Sequence, residues 1–319
     1  MNLSGASRPR LRDILWWRMS RVARPEAYSP PVISPDFEAI HSPDRARITA
    51  TWIGHASFLL QLGGRNFLLD PHFGNYCSPV RWRAFERRGP PGLSVEQLPH
   101  IDAVLISHSH YDHLDRNSLR SIKRRQRGSR EPGIVCPSGL GPLLRRWGMR
   151  DVTEMEWGEA GNYEKVDGAA APGADPVRIT CIPTQHGAAR TPFDRDGTLW
   201  CGWLLEYRDL KVGFLGDSGY APFFAGLGER YGPLDLAMIP IGAYEPRWLM
   251  EPLHMSPEEA VRVHRDLRSM RSIAMHWGTF ALADDPLDEP SKLLSTARSA
   301  AGLAEEDFIV PRIGETIQA

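Results

Sequence analysis

The sequence predicts an α/β layered domain: two β-sheets packed together, with helices outside. Hairpin-type strand patterns and β/α patterns alternate twice along the chain, as two packed sheets require. Short continuous apolar runs such as DAVLIS (102–107) fit strands buried on both faces. With 319 residues, 42% of them apolar and 24% charged, the chain can bury a substantial core and has the composition of a globular protein.

Residues 1–46 read as an N-terminal arm and lead-in, and 47–319 as the folded domain. The opening MNLSGASRPRLRDILWWRMSRVAR has no uninterrupted apolar segment and no evident cleavage site, so it is not expected to be a secretory signal. Trp16 and Trp17 lie among Arg8, Arg10, Arg12, Arg18, Arg21 and Arg24, a mixture that suits a membrane interface. Arg18 interrupts the apolar face, so the favoured expectation is a helical arm packed on the domain by its tryptophans. Residues 25–47, rich in Pro and Ser, read as extended.

From Arg47 the pattern becomes β-like: ITATWI, SFLLQL and NFLLD, with Gly63-Gly64 as a hairpin turn. Residues 71–99 carry Pro, Gly and Arg without periodicity and read as a long loop, a length that is often functional. A strand at 102–107 precedes a helix at 116–127. GIVCPS reads as a strand and 139–147 as a helix. Further strands are expected at 177–182, 200–207, 211–215 and 235–240. Ser256-Pro257-Glu258-Glu259 is a helix start: serine caps, proline suits the first turn, and Glu259 completes a capping box. Ala260, Val263 and Leu267 then share one face. A strand at 271–276 and a helix at 290–301 end the series.

A formal net charge of −1 gives no whole-protein field for nucleic acid, which is not expected as a partner. Cys77, Cys136, Cys181 and Cys201 are too dispersed for a zinc knuckle or a disulfide scaffold, and read as reduced thiols of a cytoplasmic protein. No run of 18 apolar residues exists to span a membrane. No feature of the pattern sets an oligomeric state.

The chemistry concentrates in LISHSHYDHLD. Three histidines and two aspartates fall within eight positions, directly after a buried strand, in a chain with 11 histidines. Imidazole and carboxylate together suit zinc and similar divalent ions. Residues at i and i+2 of an extended segment point the same way, so His108 and His110 can grip one ion. Asp112 and His113, past the bend, can grip another. His186 after ITCIPT, Asp217 after VGFLG and His276 after SIAM are further donors at strand ends, where a layered α/β domain places its site.

These residues resemble the metallo-β-lactamase superfamily, with its HxHxDH signature and αββα sandwich. TWIGHASFLLQ, FLLDPHF, GDSGYAPFF, IGAYEPRWLM and MHWGTFALA resemble, more narrowly, its N-acyl-phosphatidylethanolamine-hydrolysing phospholipase D branch, over roughly residues 48–315. The resemblance implies two zinc ions, with iron or manganese as substitutes. His108, His110 and His186 would hold the first, Asp112, His113 and His276 the second, and Asp217 would bridge them. It implies hydrolysis of a phospholipid or other phosphodiester, a shared hydroxide attacking phosphorus, and so a catalytic part for Asp112 and Asp217.

By the same resemblance His254 is a histidine near the metals, fit to donate a proton to the leaving group or to hold a phosphate oxygen. Leu253 stands where mammalian members carry glutamine. Asp70, ending NFLLD, and His55, in a turn, are candidates to orient metal-bound groups. Trp82 and Phe85, between arginines in RWRAFERR, are candidates for lipid contact at the inner face of a membrane. The arginine-rich helix at 116–127 reads as a solvated face. The competing readings are a lactonase or a nuclease on the same fold, and a metal-binding sensor or scaffold without turnover.

Overall fold

The computed structural model describes residues 10–20, 28, 30–163, 175–191 and 193–319. The chain forms two seven-stranded sheets. The first contains β1 (Thr49–Gly54), β2 (Ser57–Leu62), β3 (Arg65–Leu69), β4 (Ala103–Leu105), β5 (Gly133–Pro137) and β6 (Val152–Met155). The second contains β7 (Ala160–Tyr163), β8 (Val177–Ile182), β9 (Gly202–Tyr207), β10 (Leu210–Phe214), β11 (Leu234–Pro240), β12 (Ser269–Met275) and β13 (Phe308–Ile309). The last strand, β14 (Thr316–Gln318), returns to the first sheet and pairs antiparallel with β1.

Each sheet begins as an antiparallel meander, β1–β2–β3 or β7–β8–β9–β10, and continues as parallel strands. The parallel parts carry the crossovers that bring helices outside. Those helices are α3 (Arg116–Arg125) and α4 (Gly141–Arg146) over the first sheet, and α5 (Phe223–Tyr231), α7 (Pro257–Asp266) and α8 (Glu289–Ala300) over the second. Shorter pieces are α1 (Leu11–Ser20), α2 (Phe37–His41) and α6 (Arg247–Met250). Trp52, Phe58, Phe67, Trp203 and Phe214 are fully buried in one cluster that draws on both sheets. Each such side chain contributes roughly 1.5–3 kcal/mol by leaving water. The αββα sandwich expected from the sequence is the fold.

Helix starts follow local chemistry. Asp115 caps α3 by accepting from Asn117 N and Ser118 N, so the helix begins directly after the histidine-rich turn. Ser256 and Glu259 form the expected capping box of α7, whose Ala260 and Val263 are buried. Several elements were not expected: β6, β7, α5, α6, the closing strands β13 and β14, and α2, which Asp36 caps by accepting from Ala39 N inside the stretch read as extended. The long loop at 71–99 is a loop, with single helical turns at Arg83–Phe85 and Val95–Gln97.

The arm departs from expectation in one respect. Trp17 is buried beside Ala243, Leu249, Met250 and Ala283, and its Nε1 donates to Asp284 Oδ2 at 2.7 Å. Trp16 does not dock in the same way. It stays 62% exposed, its ring 5.7 Å from that of Trp248. One turn of helix cannot bury two adjacent side chains against one surface. Arg8, Arg21 and Arg24 of the expected aromatic-basic arm lie outside the described residues.

Candidate metal centre

Strand ends from both sheets converge on one place. His55 follows β1, Asp70 follows β3, His108 to His113 follow β4, His186 follows β8, Asp217 follows β10 and His276 follows β12. All the histidines and aspartates among them are buried except His110, which is partly so. Three of them turn sharply to arrive: His55, Asp70 and His276 have φ of 55°, 39° and 60°, in the left-handed region. Gly216, φ 59°, lets the sheets approach, since a Cβ there would lie 2.6 Å from Ser107 Cβ.

Two donor clusters result. In the first, His108 Nε2 lies 2.9 Å and His186 Nε2 3.2 Å from His110 Nδ1, and Asp217 Oδ2 lies 3.5 Å from His186 Nε2. In the second, Asp112 Oδ2 lies 2.8, 3.2 and 3.4 Å from the Nε2 atoms of His55, His113 and His276. Asp217 reaches both clusters, with Oδ2 3.2 Å from His113 Nε2 and Oδ1 3.1 Å from His276 Nε2.

Hydrogen bonds behind the rings fix which nitrogen faces inward. Asp70 accepts from His113 Nδ1 at 2.7 Å and also accepts from the Ser107 hydroxyl. With its proton committed there, Ser107 Oγ accepts from His108 Nδ1 at 2.9 Å. Leu253 O accepts from His186 Nδ1 at 2.9 Å. In its neutral form each of these three imidazoles turns a bare Nε2 toward the centre, the form that binds a metal. His113 Nε2, His276 Nε2 and Asp217 Oδ1 are buried without a hydrogen-bond partner. Orphaned buried polar atoms are costly, and converging imidazole nitrogens and a carboxylate oxygen that can all act as acceptors fit a cation.

The electrostatics agree. Burial alone would raise the carboxyls of Asp112 and Asp217. Against burial, however, the pair keep protons on the rings beside them, His113 well above the usual imidazole range and His276 at about 9. These cationic rings hold both carboxyls well below the usual range, positive charge that a cation would supply instead. Burial pushes His55 down to about 3, with His276 adding to it and Asp112 opposing. Burial likewise pushes His254 down to about 4, so that imidazole is neutral near pH 7. His254 Nδ1 lies 4.0 Å from Asp217 Oδ2. The structure thus brings together all seven expected donors, together with His254, Asp70 and His55. Trp82 is set apart from these, 64% exposed, with its ring 5.9 Å from Phe85.

Two residues of the site carried no expectation. Ser107 joins Asp70 to His108 as described. Arg190 donates through Nη1 to Ser109 O at 2.7 Å and to Leu114 O at 2.9 Å, and its guanidinium lies 3.9 Å from the Tyr111 ring. It thereby ties the loop after His186 to both ends of the histidine-rich turn. Its partners are main-chain carbonyls, which leave no trace in side-chain identity.

Residues 65–277 match the family model described as a beta-lactamase superfamily domain. The chain belongs to the metallo-β-lactamase superfamily, and is a metal-dependent hydrolase of that fold. Within the superfamily it is similar to N-acyl-phosphatidylethanolamine-hydrolyzing phospholipase D 1 of Caenorhabditis elegans, at 35% identity over 280 residues, 85% of this chain and 75% of the worm protein. The mitochondrial N-acyl-phosphatidylethanolamine-hydrolyzing phospholipase D of Saccharomyces cerevisiae is 28% identical over 274 residues, 83% of this chain and 55% of the yeast protein. Isothiocyanate hydrolase from Delia radicum gut bacteria shares the fold, with a TM-score of 0.63 at 20% identity over 84% of this chain and 98% of that one.

Proposed function

We propose that the protein is a phosphodiesterase of the phospholipase D type that acts on N-acyl-phosphatidylethanolamine-like glycerophospholipids and uses two zinc ions. The observation that carries this reading is Asp217, placed within 3.5 Å of donors in both clusters, in a chain 35% identical to a worm protein named for that reaction. His108, His110 and His186 would hold one ion, Asp112, His113 and His276 the other, and Asp217 both. The same donors accept iron or manganese. Bound there, divalent cations supply Lewis acidity at phosphorus and lower the pKa of water.

The chain's own groups do the rest. Asp70 and Ser107 hold the tautomers of His113 and His108, and His55 holds Asp112. His254, neutral and partly buried beside Asp217, would donate a hydrogen bond to a phosphate oxygen, while the attacking water supplies the proton that the headgroup oxygen takes. In the net reaction water adds at phosphorus and the bond to the headgroup oxygen breaks. The headgroup alcohol leaves with a proton, and phosphatidic acid remains.

The test is a product assay on zinc-loaded protein, with elemental analysis beside it. We expect phosphatidic acid from N-acyl-phosphatidylethanolamine and about two metal ions per chain. Lactone opening with no phospholipid cleavage would replace the reading. One ion or none, with every donor intact, would refute the dinuclear centre.

A further inference from the structure

The outer face of the first sheet carries a charge imbalance that the metal centre does not use and the fold uses only in part. Residues 116–150 hold ten lysines and arginines and a single carboxylate, Glu131, in a chain of net charge −1. Lys123, Arg130 and Arg145 have acidic partners in Glu131, Asp151 and Glu154. Arg116, Arg120, Arg124, Arg127, Arg146 and Arg150 are exposed and, among the described residues, make no ion pair. Along α3, Arg116, Arg120 and Arg124 repeat at i, i+4, and Arg127 lies in the turn just after the helix. Like charges at that spacing destabilise a helix, whereas mixed signs support it. Lys123, Arg124 and Arg125 suit the last turn of the helix, but the repeat of one sign along the whole face goes beyond that, and a single-sign field suits an anionic partner.

The face adjoins the metal centre. Its first residue, Arg116, follows Asp115 at the end of the histidine-rich turn. The Arg116 and Arg190 guanidinium groups lie 5.8 and 5.2 Å from the same ring, that of Trp147. On the loop that carries His186 and Arg190, Phe193 is 96% exposed, an apolar tip three residues after the arginine that meets the Trp147 ring. Arginines that attract headgroups, beside one free aromatic ring, match the two layers of a lipid interface.

We propose that the α3–α4 face docks the protein on an anionic phospholipid surface. This rests on the reading of the centre as phospholipid-cleaving, which makes a bilayer the partner favoured over nucleic acid. The surface works by attraction within a Debye length, so it weakens as salt rises.

The experiment is co-sedimentation of the zinc-loaded full chain with phosphatidylcholine vesicles, with and without phosphatidylglycerol, at low and high salt. The test variant combines Arg120→Gln, Arg124→Gln, Arg127→Gln and Arg146→Gln. The control removes the same charge from the second-sheet side, as Arg230→Gln, Arg262→Gln, Arg265→Gln and Arg268→Gln. We expect the parent to bind phosphatidylglycerol vesicles in a salt-sensitive way. The test variant should bind on the order of thousandfold more weakly, and the control within a few-fold of the parent. Turnover of a short soluble phosphodiester should be unchanged in both. Equal binding by test variant and parent, equal loss in the control, or parent binding that ignores phosphatidylglycerol would each overturn the proposal. So would parent binding to duplex nucleic acid with none to anionic vesicles. Binding to anionic vesicles without cleavage of any phospholipid would sink the phospholipase reading and leave the docking face standing. Cleavage in detergent micelles without vesicle binding would do the reverse.

Discussion

Replacing Arg190 by alanine should loosen the two loops that frame the first donor cluster. Arg190 makes two charge-assisted hydrogen bonds, at 2.7 and 2.9 Å, to carbonyls on either side of His110, Asp112 and His113. Such bonds contribute about 1.5–3 kcal/mol each, and a cation over an aromatic ring about 0.5–2. Arg190 is only partly buried, so water replaces some of this in the variant. A net loss of about 2–4 kcal/mol is expected. The loss should fall on the metal centre as well as on folding, because His110 and His186 lie on the loops that Arg190 joins. Disturbing groups that orient ligands typically lowers metal affinity by about 10–100-fold. Urea unfolding of the metal-free protein and competition for zinc against a chelator measure the two effects separately. Arg190→Lys, which keeps the charge but loses the planar fork, should lie between. An alanine variant within about 0.5 kcal/mol of the parent, with unchanged zinc affinity, would refute the clamp.

Asp217→Asn removes the one carboxylate shared by both clusters. Activity should fall at least roughly hundredfold, with metal content below that of the parent and the far-UV circular dichroism unchanged. Near-normal turnover would take Asp217 out of the centre. Gly228→Ala should destabilise by about 1–3 kcal/mol, because the added Cβ would sit 1.8 Å from Asp266 O where α5 crosses α7. Helix propensity alone gives the opposite sign, about 1 kcal/mol of stabilisation, so a urea midpoint decides between them. Trp82→Ala combined with Phe85→Ala should weaken vesicle binding roughly tenfold while sparing a soluble phosphodiester. Parent-like sedimentation would show that this loop does not touch lipid.

The site was legible to the extent that its chemistry lies in side-chain identity. The HSHYDH turn, and the donors His186, Asp217 and His276 behind apolar runs, stand out because strand ends and ligand types coincide. The α7 start was legible because its cap is local. What stayed hidden depends on distant or main-chain partners. Arg190 acts through main-chain carbonyls, and Ser107 through hydrogen bonds to Asp70 and His108 that only the fold brings together. Helix α5, FFAGLGERY, has two internal glycines and no side-chain cap, so propensity speaks against it. It exists because Gly228 allows close approach to α7. Strands β6 and β7 alternate between partial and full exposure for most of their length, and β14 is a three-residue edge. Trp17, not Trp16, packs inward because the arm meets a small apolar cluster whose position no local pattern encodes.

The left-handed turns at His55, Asp70 and His276 restrict how this sequence can drift. Of the residues with side chains, only asparagine, aspartate and histidine visit that backbone region with any ease, and β-branched residues are essentially shut out. At those three places the backbone filters substitutions before the chemistry does. Glycine passes the backbone filter and relieves about 1–3 kcal/mol of strain, but discards the polar group. A lineage that loses the activity therefore has a route to a more stable fold through these turns. A lineage that keeps it is confined to a short list of side chains at each one.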